Sequence, residues 1–254
     1  MSPGALPSTP ERRHAMNFTA ETTYDGILER EFAVGDVPGV LWTPDTASAD
    51  VPLVLLGHGG GRDKKAPAMT GRARILVDAG FAAACIDAPG HGDRPRTAHD
   101  EREIALMQKA MATGEPVGPI VVRYNGHLAE QAVPEWQATL DALQDVIHGP
   151  VGYFGLNMGT AIGVPLTAVD SRITAAAFGL FWPDNLVETA RKITVPIEYT
   201  LQWDDEHIPR EAGLALFDAF GSTVKSLHAN TGRHKELPRF EADSAVRFFL
   251  RHLM

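Results

Sequence analysis

Apolar residues in this chain collect in short runs with more polar, helically spaced stretches between them. Val51–Leu56 is a near-continuous aliphatic run of the kind buried on both faces of a sheet. Phe81–Ile86, Val151–Phe154, Ile173–Phe181 and Pro196–Leu201 repeat the pattern, and Ser222–His228 adds a shorter strand. Helices are expected near Ala68–Ala79, after Asn157, over Pro209–Phe220 and from about Leu237. Another is expected to begin at Pro134, where Trp136, Leu140, Leu143 and Ile147 stand at helical spacing. Ahead of this series, Leu28 to Trp42 suggests two strands joined by the turn at Gly35-Asp36 and Pro38-Gly39. Alternation of this kind predicts an α/β fold, with a mostly parallel central sheet covered by helices on both faces.

Two stretches stand outside the alternation. Residues 1–15, rich in Pro, Ser and charge, are expected to form a flexible tail, with Met16 as an alternative start. From Met16 to Met254 the chain is expected to be one domain. Within it, Asp93–Val133 opens on charged, His- and Arg-containing text and ends near Arg123-Tyr124-Asn125. It is read as a helical cap over the active-site edge, with a long structural crossover as the equal alternative.

Composition narrows the choices. The 254 residues carry a formal charge of −9, which argues against a nucleic-acid partner and does not suggest an anionic membrane surface. No run reaches the roughly 18 unbroken apolar residues of a membrane helix, and no signal-peptide pattern opens the chain, so a cytoplasmic protein is expected. Cys85 is the one cysteine; its apolar neighbours make it a core thiol. Nothing in the sequence reads out an oligomeric state.

Four signals carry chemistry, and their order matters more than any one of them. Gly57-His58-Gly59-Gly60-Gly61 follows a predicted strand, where glycines let backbone N–H groups approach a developing oxyanion. Gly155-Leu156-Asn157-Met158-Gly159 lies between a strand and a helix, the setting of a nucleophile elbow, whose usual form is G-x-S-x-G. The pattern is intact except at its centre, and Asn157 has no hydroxyl, thiol or carboxylate for covalent attack. Asn does tolerate the positive φ of such a turn, and the N–H of Met158 is the second oxyanion donor candidate. Gln202-Trp203-Asp204-Asp205-Glu206-His207-Ile208-Pro209 offers two candidate acids at a strand end; Asp205, at D-x-x-I-P spacing, is preferred over Asp204. His234, in Gly232-Arg233-His234 before the last helix, is the candidate base, and His207 is a poorer one because it precedes that slot.

These motifs, with Asp87-Ala88-Pro89-Gly90-His91-Gly92, resemble the α/β-hydrolases of the dienelactone-hydrolase-like or small bacterial esterase group over nearly the whole chain from Met16. The resemblance implies the α/β-hydrolase fold and a carboxylesterase or lactonase acting on a small ester. It implies a catalytic set of position 157, Asp205 and His234, with Met158 and Gly59 or Gly60 at the oxyanion. His58, Tyr124 and Trp182 are candidate pocket walls, each with a core-packing alternative. No metal-ligand spacing such as H-E-x-x-H or C-x-x-C occurs, so neither metal nor organic cofactor is expected. Three accounts of Asn157 stay open: an inactivated esterase, a divergent member without covalent hydrolysis, or an Asp→Asn trap of a dehalogenase- or epoxide-hydrolase-like enzyme. A ligand-binding receptor on the same scaffold is the non-enzyme alternative, disfavoured by a retained acid and histidine.

Overall fold

The computed structural model describes residues 15–254; the expected tail therefore lies outside the described residues apart from Ala15. Three strands open the chain: β1 (Met16–Tyr24), β2 (Ile27–Val34) and β3 (Val37–Pro44). Six more follow: β4 (Leu53–Gly57), β5 (Ala82–Ile86), β6 (Val151–Gly155), β7 (Ile173–Gly179), β8 (Ile197–Gln202) and β9 (Lys225–Asn230). Together they form one nine-stranded sheet in the order β1-β2-β3-β5-β4-β6-β7-β8-β9. The first three strands and β5 pair antiparallel, and from β5 to β9 every pairing is parallel.

The central strands are buried along their whole length, so alternate residues feed opposite cores. Leu53 and Leu55 point into one cluster and Val54 and Leu56 into the other; Ala82 and Ala84 likewise oppose Ala83 and Cys85. The helices are α1 (Pro67–Asp78), α2 (Ala98–Thr113), α3 (Gly118–Leu143), α4 (Met158–Val169), α5 (Val187–Ala190), α6 (Arg210–Ala219) and α7 (Phe240–Leu253). Buried residues of α3 and α4, joined by Leu216 and Phe220, fill the first cluster, and those of α1 and α7 fill the second. Cys85 is a buried free thiol whose pKa burial pushes well up, in keeping with a core role.

Two elements and one turn differ from the sequence-based expectation; the turn between β2 and β3 is confined to Gly35-Asp36, and Pro38-Gly39 lie inside β3, paired with Ala33 and Phe32. Strand β1 was not foreseen because it is exposed along nearly all its length and has no apolar face to signal it. Its trace was the Asp25-Gly26 pair, both at positive φ (48° and 79°), a hairpin turn that Asp-Gly favours. The second correction concerns Asp93–Val133. Pro134 does not begin a helix but lies inside α3, which runs unbroken from Gly118. A proline costs a helix the bond to the carbonyl four residues earlier. Here Pro134 and Glu130 are both exposed, so the freed carbonyl belongs to the solvent side of the helix while Leu128, Ala132, Trp136 and Leu140 bury the opposite side. The C-terminal half of α3 is thus a core helix, and the expected cap stretch consists of α2 and the first part of α3. Helix α2 starts with a Thr97–Asp100 capping box, ends at Gly114 in the left-handed region, and rests on α3. No described helix is long and apolar enough to cross a membrane.

Phe249 of α7 is fully buried against Phe154 of β6, and a Cβ on Gly152 would sit 2.8 Å from its ring. Phe249→Ala is expected to destabilise the fold by about 3–5 kcal/mol in urea unfolding, because the rigid sheet cannot collapse into the void.

Candidate active site

The chain reverses direction across the sheet between β5 and β6, which flank β4, and such a switch leaves a crevice at the carboxyl ends of the strands. Register brings the sequence motifs to that edge. Gly57 pairs with Gly155, so the loops after β4 and β6 leave side by side. Gln202 pairs with Asn230, so the loops carrying Asp205 and His234 do the same two strands away.

The turn at Asn157 rests on glycine contact. A Cβ on Gly159 would lie 2.5 Å from the Gly57 carbonyl oxygen, and one on Gly155 would lie 2.6 Å from the Gly159 carbonyl. No larger residue fits at either position without moving backbone. Asn157 itself has φ 57° and ψ −122°, a corner geometry that glycine and asparagine favour. Its N–H donates to the Gly179 carbonyl at 3.1 Å. Thr160 fastens the turn from inside: its hydroxyl lies 2.9 Å from the Gly155 carbonyl and 2.6 Å from that of Gly179, and it accepts the Gly179 N–H at 2.9 Å. Tyr153 donates to the Gly159 carbonyl at 2.8 Å. The Asn157 carboxamide is half-buried and makes no hydrogen bond among the described residues. The N–H groups of Met158, Gly59 and Gly60 also have no acceptor among the described residues.

Asp205 and His234 meet directly, His234 Nδ1 to Asp205 Oδ2 at 2.7 Å, with both side chains largely buried. The other carboxylate oxygen accepts the N–H groups of His207 at 2.8 Å and Ile208 at 2.9 Å. Burial pushes the Asp205 pKa up, but the bonds from His234, Ile208 and His207 outweigh it and hold the carboxyl below its ordinary value. Asp204 is exposed, and among the described residues its hydrogen bonds go to the Gly232 backbone. The ring of His207 stands edge-on to that of His234, with centroids 5.2 Å apart.

The three candidate wall residues are placed differently from one another. His58 is buried, its Nε2 accepting the Ala88 N–H at 3.0 Å, which makes Nδ1 the protonated nitrogen that donates to the Gly59 carbonyl at 3.0 Å. Burial also lowers its pKa, so the ring is a neutral strut with no polar atom left for a substrate. The Tyr124 hydroxyl is committed to Asp100 at 3.0 Å, tying α3 to the start of α2. Trp182, half-buried in the loop after β7, covers the start of α3; a Cβ on Gly118 would lie 2.8 Å from its indole nitrogen.

Sequence reasoning missed several supports. Leu180 follows β7 at φ 57°, a conformation costing a non-glycine residue about 1–3 kcal/mol, and nothing in its identity announces this. Lys64 and Asp87 form a buried pair at 2.8 Å between the loops after β4 and β5, while Asp87 also accepts the Lys64 N–H at 2.7 Å. The G-R-D-K-K and D-A-P-G-H-G segments contained these residues, but only the fold shows that they face each other.

No protein-family model matches the sequence, and no curated protein matches it. Solved structures do. The chain is similar to a cold-adapted esterase from an Arctic intertidal metagenomic library, in its polyethylene-glycol-bound complex. Identity is 33%, the TM-score is 0.76, and 94% of this chain and 100% of the other are covered. A dienelactone hydrolase from Anabaena variabilis ATCC 29413 matches at 21% identity and TM-score 0.60, covering 92% of this chain and 99% of its own. An acetyl xylan esterase from Paenibacillus sp. R4 matches at 14% and 0.67, covering 94% and 88%. At those identities the last two show shared fold alone.

The depressed pKa of Asp205 has a consequence for stability. A carboxyl lowered on folding contributes stability that is full above its unfolded value and lost as pH falls through its native value. Asp205→Asn is therefore expected to flatten the acid limb of the stability curve as pH falls through and below the ordinary aspartate value of about 4, in urea unfolding at constant ionic strength. An unchanged slope there would show that the Asp205–His234 pair does not persist in solution.

Proposed function

We propose a function from one premise: the chain belongs to the α/β-hydrolase family of carboxylic ester hydrolases. Its site is that of a small-ester or lactone hydrolase whose nucleophile position holds asparagine, so that it binds carboxylic esters without forming an acyl-enzyme. The observation that carries this reading is the 2.7 Å bond between Asp205 and His234, set on adjacent loops at the same sheet edge as the Asn157 corner.

With a serine at 157, the hydroxyl oxygen attacks the ester carbonyl while His234 Nε2 takes its proton. Asp205 keeps Nδ1 protonated and stabilises the imidazolium. The carbonyl electrons move onto oxygen, where the Met158 N–H and a glycine N–H of the 59–60 segment receive them. Of the two glycines, Gly60 is the better donor. The Gly59 carbonyl is held by His58 Nδ1 and by the Arg62 N–H at 3.2 Å, and a trans peptide turns the Gly60 N–H to the opposite side. Collapse of the intermediate expels the alcohol, which leaves with the proton from His234, and water repeats the sequence on the acyl-enzyme. No metal or organic cofactor enters these steps. Asparagine keeps the corner and the N–H donors and removes only the attacking atom.

The chain as it stands is expected to hydrolyse short aryl esters at background. Asn157→Ser is expected to raise initial rates by up to roughly 10⁶, the scale of a triad nucleophile. The gain should vanish in Asn157→Ser/His234→Ala and survive a chelator. Asn157→Asp, assayed on haloalkanes and epoxides, is expected to be inert; turnover there, with none by the serine form on esters, would replace the esterase reading with an aspartate-nucleophile one. Rapid ester turnover by the unaltered chain that is lost in His234→Ala would reject the covalent route in favour of water activated by His234.

A further inference from the structure

The loop that carries His234 is held by four residues at and around Asp205. Gln202 Nε2 donates to the Arg233 carbonyl at 3.1 Å. Asp204 and Gly232 bond in both directions, the Asp204 N–H to the Gly232 carbonyl at 3.2 Å and the Gly232 N–H to Asp204 Oδ2 at 3.4 Å. Asp205 takes the His234 ring. Glu206 Oε2 accepts the backbone N–H of His234 at 2.9 Å, and its other oxygen lies 3.3 Å from the Arg233 guanidinium. Residues 205 and 206 thus grip the same histidine at two points, the ring through one carboxylate and the main chain through the next.

The two grips have different mechanical effects. A bond at Nδ1 alone lets the imidazole swing about Asp205 as its backbone drifts, carrying Nε2 with it. Fixing the backbone nitrogen as well removes that freedom, because the ring is then tied at both ends of its side chain. The other side-chain contacts of Glu206 are weaker: His207 Nε2 lies 3.9 Å from Oε1, a pair that is charged only when the imidazole is protonated. Arg233 is well exposed, and an exposed ion pair contributes little by itself. The His234 N–H, by contrast, is a loop donor whose one protein acceptor among the described residues is this carboxylate.

We propose that Glu206 is a positioning residue for His234: by accepting the histidine's backbone N–H it sets where Nε2 points, and so the geometry of proton transfer. The inference rests on the esterase reading, in which His234 is the base, and it extends that reading to a residue that touches neither substrate nor the reacting atoms.

Three substitutions separate the roles. Glu206→Gln keeps an oxygen for the N–H and drops the charge; Glu206→Ala removes both; Arg233→Ala removes the ion pair alone. In the chain as it stands, the proton between His234 Nδ1 and Asp205 is followed by NMR on histidine-labelled protein and assigned by its loss in His234→Ala. The signal is expected to persist in Glu206→Gln and Arg233→Ala, and to broaden or vanish in Glu206→Ala while the thermal midpoint stays unchanged. In an Asn157→Ser background, Glu206→Ala is expected to lower kcat by ~10–100-fold with little change in KM, the scale of a misplaced catalytic group. Glu206→Gln should recover most of the loss. An unaltered NMR signal and kcat in Glu206→Ala would overturn the proposal, as would failure of Glu206→Gln to rescue. Loss of the signal in Glu206→Ala, with no ester turnover by Asn157→Ser, would uphold the positioning role and remove the esterase reading instead.

Discussion

Gly57, Gly155 and Gly159 meet without a side chain between them, and the geometry of the crevice depends on that contact. It lets the first turn of α4 press against the ends of β4 and β6, which in turn forces the Asn157 corner out of the sheet edge at positive φ. Thr160 and Tyr153 then lock the turn with bonds to the carbonyls around it. The same constraint reaches the neighbouring strand. Gly179 accepts the Asn157 N–H and Thr160 holds it on both sides, so β7 ends at the elbow and the chain turns away through Leu180 in a left-handed conformation. Strain at Leu180 is tolerated because its surroundings fix both its N–H, on the Thr200 carbonyl, and its buried side chain.

Charge is distributed around this rigid turn so that each loop is tied to a neighbouring one. After β4, the buried Lys64–Asp87 pair and the His58 ring bind the glycine loop to the loop after β5, and neutral His58 fixes the Gly59 carbonyl. After β8, the acidic run at 204–206 fastens the segment 232–234. That segment is also held from behind, because Glu241 near the start of α7 accepts from Asn230 at 2.8 Å at the end of β9, and its other oxygen meets His228 at 2.7 Å. The groups around the crevice are therefore immobilised by bonds between loops, and little reorganisation remains for a reaction to drive.

The sequence made the parallel sheet legible because Val54, Leu56, Ala83 and Cys85 belong to unbroken apolar runs, which only a sheet buried on both faces produces. The Asn157 corner was legible for a different reason: glycines at 155 and 159 leave few ways to join a strand to a helix. Helix α3 was misread because Pro134 carries a local signal that tertiary packing overrides, with Trp136 and Leu140 buried on the far side of an exposed proline. Strand β1 escaped because an edge strand exposed along its length has no hydrophobic period. The roles of Glu206 and Gln202 were out of reach for a more basic reason. Each acts on a loop some thirty residues away, and only the pairing of β8 with β9 brings the two together.

Asparagine at 157 also bears on the balance between stability and activity. Among non-glycine residues it is one of those enriched at positive φ, and at φ 57° and ψ −122° the corner is still a strained one. The bonds that fix the corner come from the 157 backbone, Thr160 and Tyr153, and none uses the 157 side chain. The turn is thus over-determined by its neighbours, and the side chain at its apex is free to change without loss of the fold. The acid–histidine pair, the unpaired N–H groups and the glycine contacts are therefore held independently of whichever side chain stands at 157. A substitution at 157 asks nothing of the backbone except strain the corner already holds.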